Sequence, residues 1–453
     1  MDIKKYIQII CAFMMAIILT FSFSAEGSAE EIVVNEGDSL QKAIDDAKEG
    51  AILKINKGIY EGPIEVNKPL TITGEEGAII DGRKKGNVVI VKADNVTISG
   101  VSVQNSGRGR EDSGIFIDGA NFSTIENNVF QNVHYGIYVK NSKNSTIAKN
   151  AITSFKGHFS SRGNGIHIFK GSDHLIKENR IFSVQDGIYF DFATKVEAVG
   201  NEVEDSRYAL HYMFSDNIYT AENKVEGNIT GFMIMDSAHL LFERNTVKDQ
   251  FHYRGFGVLI YDSDDVEMQK NEIVQNSTGI SLEKARNTHI HNNVIAANQI
   301  GLAFRLGNEN NVFYENNFIA NVVSSTVREE KITLDNGEKG NYWDDYKSFD
   351  IDGDGIGEEV YKAGSLYDRL LETEPYWQLF FESPAIQVWS KAESMFPSLG
   401  SVEVYDKNPL VEPVDLVLEN GKKKGERSLF VLIFSLLLIG SSVFIIIKGR
   451  KFS

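Results

Sequence analysis

Two short segments hold the side chains best able to bind a metal: RYALHYMFSDN, with His211 and Met213, and GFMIMDS, with Met233 and Met235. Imidazole and thioether donors together suit a soft ion, above all Cu(I). No thiol competes for that role, because the only cysteine is Cys11, close to the N-terminus. Within each segment the donors are two residues apart, which puts them on one face if the segment is a strand. Met and aromatic residues also form adaptable partner-binding patches, and spacing alone does not separate that reading from a metal site. Three more histidines are candidate ligands: His167 at the matching place in an earlier segment, and His158 and His252 in the irregular stretches SFKGHFSSRGN and KDQFHYRGF. A second motif, NYWDDYKSFDIDGDGIGEEVY, alternates Asp350, Asp352 and Asp354 before Gly355, like the start of a calcium loop. An EF-hand would carry Glu at the twelfth position, where this chain has Tyr361. A solvated acidic turn explains the motif equally well.

The elements that must position these residues repeat. Apolar strands open at Gly114, Gly136, Gly165, Gly187, Ala209, Gly231, Gly257, Gly279 and Gly301, and all but two of the steps are 22 residues. Fourteen residues after each of the first eight openers stands an asparagine, from Asn128 and Asn150 to Asn271 and Asn293; the ninth coil reaches Asn317 two residues late. Short strands joined by Asn/Gly turns give this pattern and helices do not. It predicts an all-β fold, a right-handed parallel β-helix of about 22-residue coils, with the asparagines stacked as an amide ladder. Ser39 to Ala47 reads as a capping helix after a strand at 31–34.

Side chains alternate along a strand, so positions one and three after the opener point inward and positions two and four outward. The first outward column reads Phe116, Tyr138, His167, Tyr189, His211, Met233, Leu259, Ser281, Ala303; the second reads Asp118, Lys140, Phe169, Asp191, Met213, Met235, Tyr261, Glu283, Arg305. A solvent face should be polar, yet the middle of this one is aromatic, His and Met. The two long steps insert residues before Gly165 and Gly257, and the resulting loops, carrying His158 and His252, are expected to protrude near that face.

The ends indicate export. Lys4 and Lys5, the apolar run to Phe23 and the small residues Gly27 to Ala29 read as a signal peptide over 1–29. The solenoid is expected over 30–361 and a helical or extended docking segment and linker over 362–427. A transmembrane anchor follows over 428–447, where Leu429 to Ile447 carries no charge, and then a cytoplasmic tail over 448–453. A formal net charge of −17 argues against nucleic-acid binding.

RYALHYMFSDN with GFMIMDS, the block NYWDDY…DIDGDGIGEEVY, SPAIQVWSKA and NPLVEP (408–413) together resemble the NosD family, over nearly all of 31–415. The resemblance implies a non-catalytic, extracytoplasmic maturation factor for the copper centre of nitrous oxide reductase. Such a protein works with an ABC-transporter membrane subunit and its cytoplasmic ATPase, and takes Cu(I) from a lipoprotein copper chaperone. It puts His211, Met213, Met233 and Met235 where the family motif has its His and Met residues. A C-terminal anchor departs from the mostly soluble periplasmic members and implies a membrane-tethered protein, with helices in 363–399 docking the membrane subunit. The rival reading is a β-helix polysaccharide-binding or -modifying protein of the lyase or epimerase type. Its acid/base candidates are Asp118, Asp191, Lys140 and Arg305, but the two carboxylates lie three coils apart, about 14 Å by strand spacing, too far for a paired acid and base.

Overall fold

The computed structural model of the protein describes residues 29–252, 255–327, 332–362 and 404–416, with three isolated positions between 383 and 388. The expected signal peptide apart from Ala29, the segment 363–399 apart from those three positions, and the apolar run 429–447 lie outside the described residues. Among the described residues no helix is long and apolar enough to cross a membrane.

The repeat folds as three parallel sheets of 13, 12 and 13 strands, each coil giving one strand to each sheet in turn. This is a parallel β-solenoid of the right-handed type. The 12-stranded sheet carries the anomalous columns; its strands include Ser113–Asp118, Tyr135–Lys140, Ile166–Phe169, Asp186–Asp191, Tyr208–Met213, Thr230–Met235 and Phe256–Tyr261. Their register pairs Ile115, Ile137, Ile166, Ile188, Leu210, Phe232 and Val258 as one inward column, fully buried. Burying such a side chain contributes roughly 1.5–3 kcal/mol, and the column repeats that contribution coil after coil. All the openers but Ala209 are glycine, and the coils are close there: a Cβ on Gly187 would lie 2.4 Å from the Ala209 carbonyl oxygen. At the N-terminal end, Glu31–Val34 is a strand and Leu40–Asp46 a helix, N-capped by the Ser39 side chain, with Leu40 and Ile44 buried.

The asparagines form a continuous ladder. The Asn223 side-chain oxygen accepts from the Asn201 backbone N–H at 2.9 Å and from its Nδ2 at 3.0 Å, while the Asn223 Nδ2 donates to Ala198 O and to Asn245 Oδ1. At the ninth coil the ladder passes through Asn316 and on to Asn341, not through Asn317. Asn317 turns outward and pairs with the backbone of Val414. Its place in the repeat suggests the ladder, but the irregular ninth turn moves the slot by one residue. Asn223→Ala leaves buried donors and an acceptor unsatisfied at about 1–3 kcal/mol each, so a loss on the order of 3 kcal/mol is expected in urea unfolding.

A parallel turn ladder runs through Ser145, whose backbone N–H donates to His174 Nδ1 at 3.1 Å. Burial pushes the His174 imidazole down to about 4, against smaller opposing contributions from hydrogen bonds with Ser142 and Ser145. The unfolded chain, with an ordinary histidine near 6.5, therefore takes up this proton first. Stability is expected to fall as pH drops from about 6.5 to 4, by about 3 kcal/mol at most, and His174→Gln should flatten that part of the pH–stability curve.

The C-terminal end of the solenoid is closed by chain returning from further on. Val404–Asp406 pairs with Ile332–Thr333 and with Tyr361–Lys362. The buried Asp406 accepts from the Trp343 indole N–H at 2.9 Å and from the Asn341 backbone N–H at 2.7 Å. Trp343 stacks between Phe318 and Tyr361. Residues 404–414, including the NPLVEP motif, thus pack on the last coils.

Candidate metal centre

His211 and Met213 lie on Tyr208–Met213, and Met233 and Met235 on the next strand of the same sheet, Thr230–Met235. The register sets His211 beside Met233 and Met213 beside Met235. Four donors therefore occupy a two-by-two patch with one strand spacing, about 4.8 Å, between the rows. The three methionines are half-buried.

His211 is only 6 % exposed. Its ring stacks on Tyr189 at 4.3 Å and 7° and takes Tyr208 edge-on. Its Nδ1 lies 3.0 Å from Asp186 Oδ2, and Arg207 grips the same carboxylate through Nε at 2.8 Å and Nη2 at 2.7 Å. Asp186 is 1 % exposed. Burial alone would raise its pKa, but hydrogen bonds from His211 and Arg207 and the Arg207 charge hold it below the ordinary carboxylate range. An ionised Asp186 accepts only, so Nδ1 carries the proton it donates. In the neutral ring the lone pair is then on Nε2, and Nε2 is buried without a hydrogen-bond partner. A carboxylate fixing one imidazole nitrogen so that the other is open is the usual support for a metal-binding histidine. The Tyr189 hydroxyl donates to Met213 Sδ at 3.2 Å. Burial, with Asp191 and Asp186 nearby, pushes that phenol above its ordinary value, so it stays a neutral donor.

The first outward column is shielded, contrary to its expected solvent exposure. Phe116, Tyr138, His167, Tyr189 and His211 stack in register at 4.3–5.3 Å between centroids. Phe116, Tyr138, His167 and His211 are all buried, because rings one coil apart cover each other's faces.

The remaining candidates fall elsewhere. His158 and His252, with Arg162, Asp205, Asn228 and Asp249, line a cleft of about 410 Å³ over the turns that lead into this sheet. His211 and the methionines are not among its walls. The insertions enter ahead of the openers, so their loops fold over the turns. His158 Nδ1 lies 2.9 Å from Ser160 Oγ, and Arg162 pairs with Asp205 at 3.0 Å. Asp350, Asp352 and Asp354 bring carboxylate oxygens within 4.8 Å of one another. Both Asp350 oxygens already accept backbone N–H groups, from Gly353, Asp354 and Gly355. Tyr361, where a calcium loop would need Glu, instead packs on Trp343 and donates to Asp345. Asp118 and Asp191 are separated in the register by Lys140 and Phe169.

Sequence reasoning missed Asp186 and Arg207. The signal was available: in the column just before the openers (Ser113, Tyr135, Asn164, Asp186, Tyr208, Thr230, Phe256, Thr278, Ile300), Asp186 is the only charged residue.

Fold and site define a parallel β-solenoid with a soft-donor cluster on one outer face. Residues 55–158 and 148–348 match the family model described as periplasmic copper-binding protein (NosD). The chain belongs to the NosD family. It is similar to two proteins named probable ABC transporter binding protein NosD. One, from Stutzerimonas stutzeri, is 28 % identical over 379 residues, covering 79 % of this chain and 86 % of that one. The other, from Pseudomonas aeruginosa, is 29 % identical over 406 residues, covering 78 % and 86 %. Among solved structures, the surface adhesin PfbA of Streptococcus pneumoniae superposes with a TM-score of 0.51 at 14 % identity, covering 66 % of this chain and 93 % of that one. That likeness concerns the fold alone.

Proposed function

We propose that this chain is an extracytoplasmic, non-catalytic accessory protein for assembling the copper site of nitrous oxide reductase. It receives Cu(I) from a lipoprotein chaperone and works beside an ABC transporter's membrane subunit and cytoplasmic ATPase, with the run Leu429 to Ile447 as its membrane tether. Copper here is cargo. The observation that carries the reading is the buried, unpartnered Nε2 of His211, held open by Asp186, on a residue whose register partner is Met233 beside the Met213–Met235 pair. A thioether–imidazole set favours Cu(I) over harder ions, and the chain's only cysteine lies in the expected signal peptide. The family description and the two relatives' names support copper and transporter association in outline.

The test is genetic and analytical. In a host that makes nitrous oxide reductase, removing this chain should leave the reductase short of copper. The wild-type chain should restore the copper, and a chain with His211, Met213, Met233 and Met235 all replaced by Ala should not. A reductase with full copper in the deletion strain would overturn the reading.

A further inference from the structure

Two coils from His211 along the ring stack, about 10 Å away by strand spacing, His167 is buried at 7 % exposure with neither ring nitrogen hydrogen-bonded. It lies between the rings of Tyr138 and Tyr189, at 4.9 and 4.6 Å, with Tyr135 edge-on. Leaving a buried polar atom without a partner costs about 1–3 kcal/mol, so two on one ring call for an explanation. The nearest acid supplies one. Asp191 Oδ2 stands 3.6 Å from His167 Nε2, too far for a hydrogen bond. It is the right span for an ion bound to both: metal bonds of about 2.0–2.2 Å to each atom would meet at about 120°. The Asp191 side chain is 18 % exposed, against 9 % for His167, so the approach is from the carboxylate side. Neighbouring phenols do not complete the set as phenolates, since burial raises Tyr135, Tyr138 and Tyr189 above their ordinary values.

We propose that His167 and Asp191 form a second metal half-site, distinct from the His/Met cluster, that takes a borderline divalent cation such as Cu(II). A nitrogen–oxygen pair is harder than the thioether set and so favours Cu(II) over Cu(I). Two protein ligands leave the other coordination positions to water or to an incoming donor, which suits exchange rather than storage. In the second outward column Asp191 is the register partner of Met213, so the two sites adjoin. The site stands independently of the proposed role in reductase assembly.

The probe is Cu(II) added aerobically to the purified full chain, followed by electron paramagnetic resonance and competition with a Cu(II) chelator. The expected spectrum shows coupling to one imidazole nitrogen. His167→Phe keeps the ring stack, as Phe116 does in the same column, and Asp191→Asn keeps the shape of the acid. Each should weaken Cu(II) binding on the order of tenfold or more, since even outer-shell changes cost 10–100-fold. The Met213/Met233/Met235 to Leu variant should keep the Cu(II) spectrum while losing Cu(I). His239→Gln, at an exposed histidine between Asp216 and Asp265, should leave the spectrum unchanged. Equal Cu(II) binding by wild type and His167→Phe, transfer of the loss to the methionine or His239 variants, or no Cu(II) bound by wild type would each overturn the proposal.

Discussion

Asp186→Ala is expected to cost on the order of 3 kcal/mol of folding stability and to weaken Cu(I) binding 10–100-fold. The two effects have different physical origins. Stability falls because Arg207, gripping Asp186 through two hydrogen bonds at 2.8 and 2.7 Å, would lose its counter-charge at a site where the carboxylate is almost fully buried. Affinity falls because His211 would lose the acceptor 3.0 Å from Nδ1, and with it the fixed tautomer and ring orientation that leave the buried Nε2 lone pair unpartnered. Asp186→Asn separates them: it retains the volume and one acceptor oxygen but not the charge. Urea unfolding reads the first effect and competition against a Cu(I) chelator the second. If both variants bind Cu(I) as wild type does, Asp186 is only a packing residue and His211 is not a supported ligand.

Replacing Met213, Met233 and Met235 together by Leu should abolish chelator-competitive Cu(I) binding while leaving the fold intact. Leu for Met is close to volume-conserving and costs under about 1.5 kcal/mol per site even in a core; these three sites are half-buried. The inward column, the asparagine ladder and the ring stack do not involve their sulfur atoms. Leucine at 213 does remove the acceptor for the Tyr189 hydroxyl, which donates to Met213 Sδ at 3.2 Å, a neutral hydrogen bond of about 0.5–1.5 kcal/mol. A variant that melts like wild type yet still holds Cu(I) would assign the methionines to a partner-binding patch, the other reading their chemistry allows.

Much of this architecture is legible in the residues alone. A 22-residue period with glycine openers and asparagines fourteen residues on leaves few folds besides a parallel solenoid, and alternation along a strand places His211, Met213, Met233 and Met235 on one outer face. Three things are not legible there, each for a physical reason. Alternation gives the direction of a side chain but not its shielding, so the stack from Phe116 to His211 is expected in solvent. The contact between Asp186 and His211 crosses from one coil to the next and from the strand's first residue to its fourth, a diagonal that a column-by-column reading does not inspect. The ladder's step from Asn293 to Asn316, not Asn317, depends on how one irregular turn closes, and both residues are asparagine.

The most direct test of the His/Met site is X-ray absorption at the copper edge on the Cu(I)-loaded full chain, beside the triple Met→Leu variant. A first shell with sulfur and one imidazole nitrogen is expected in the wild type, with loss of the sulfur in the variant. A wild-type shell of nitrogen and oxygen only, or a wild-type chain that takes up no Cu(I), would contradict a thioether–imidazole copper site.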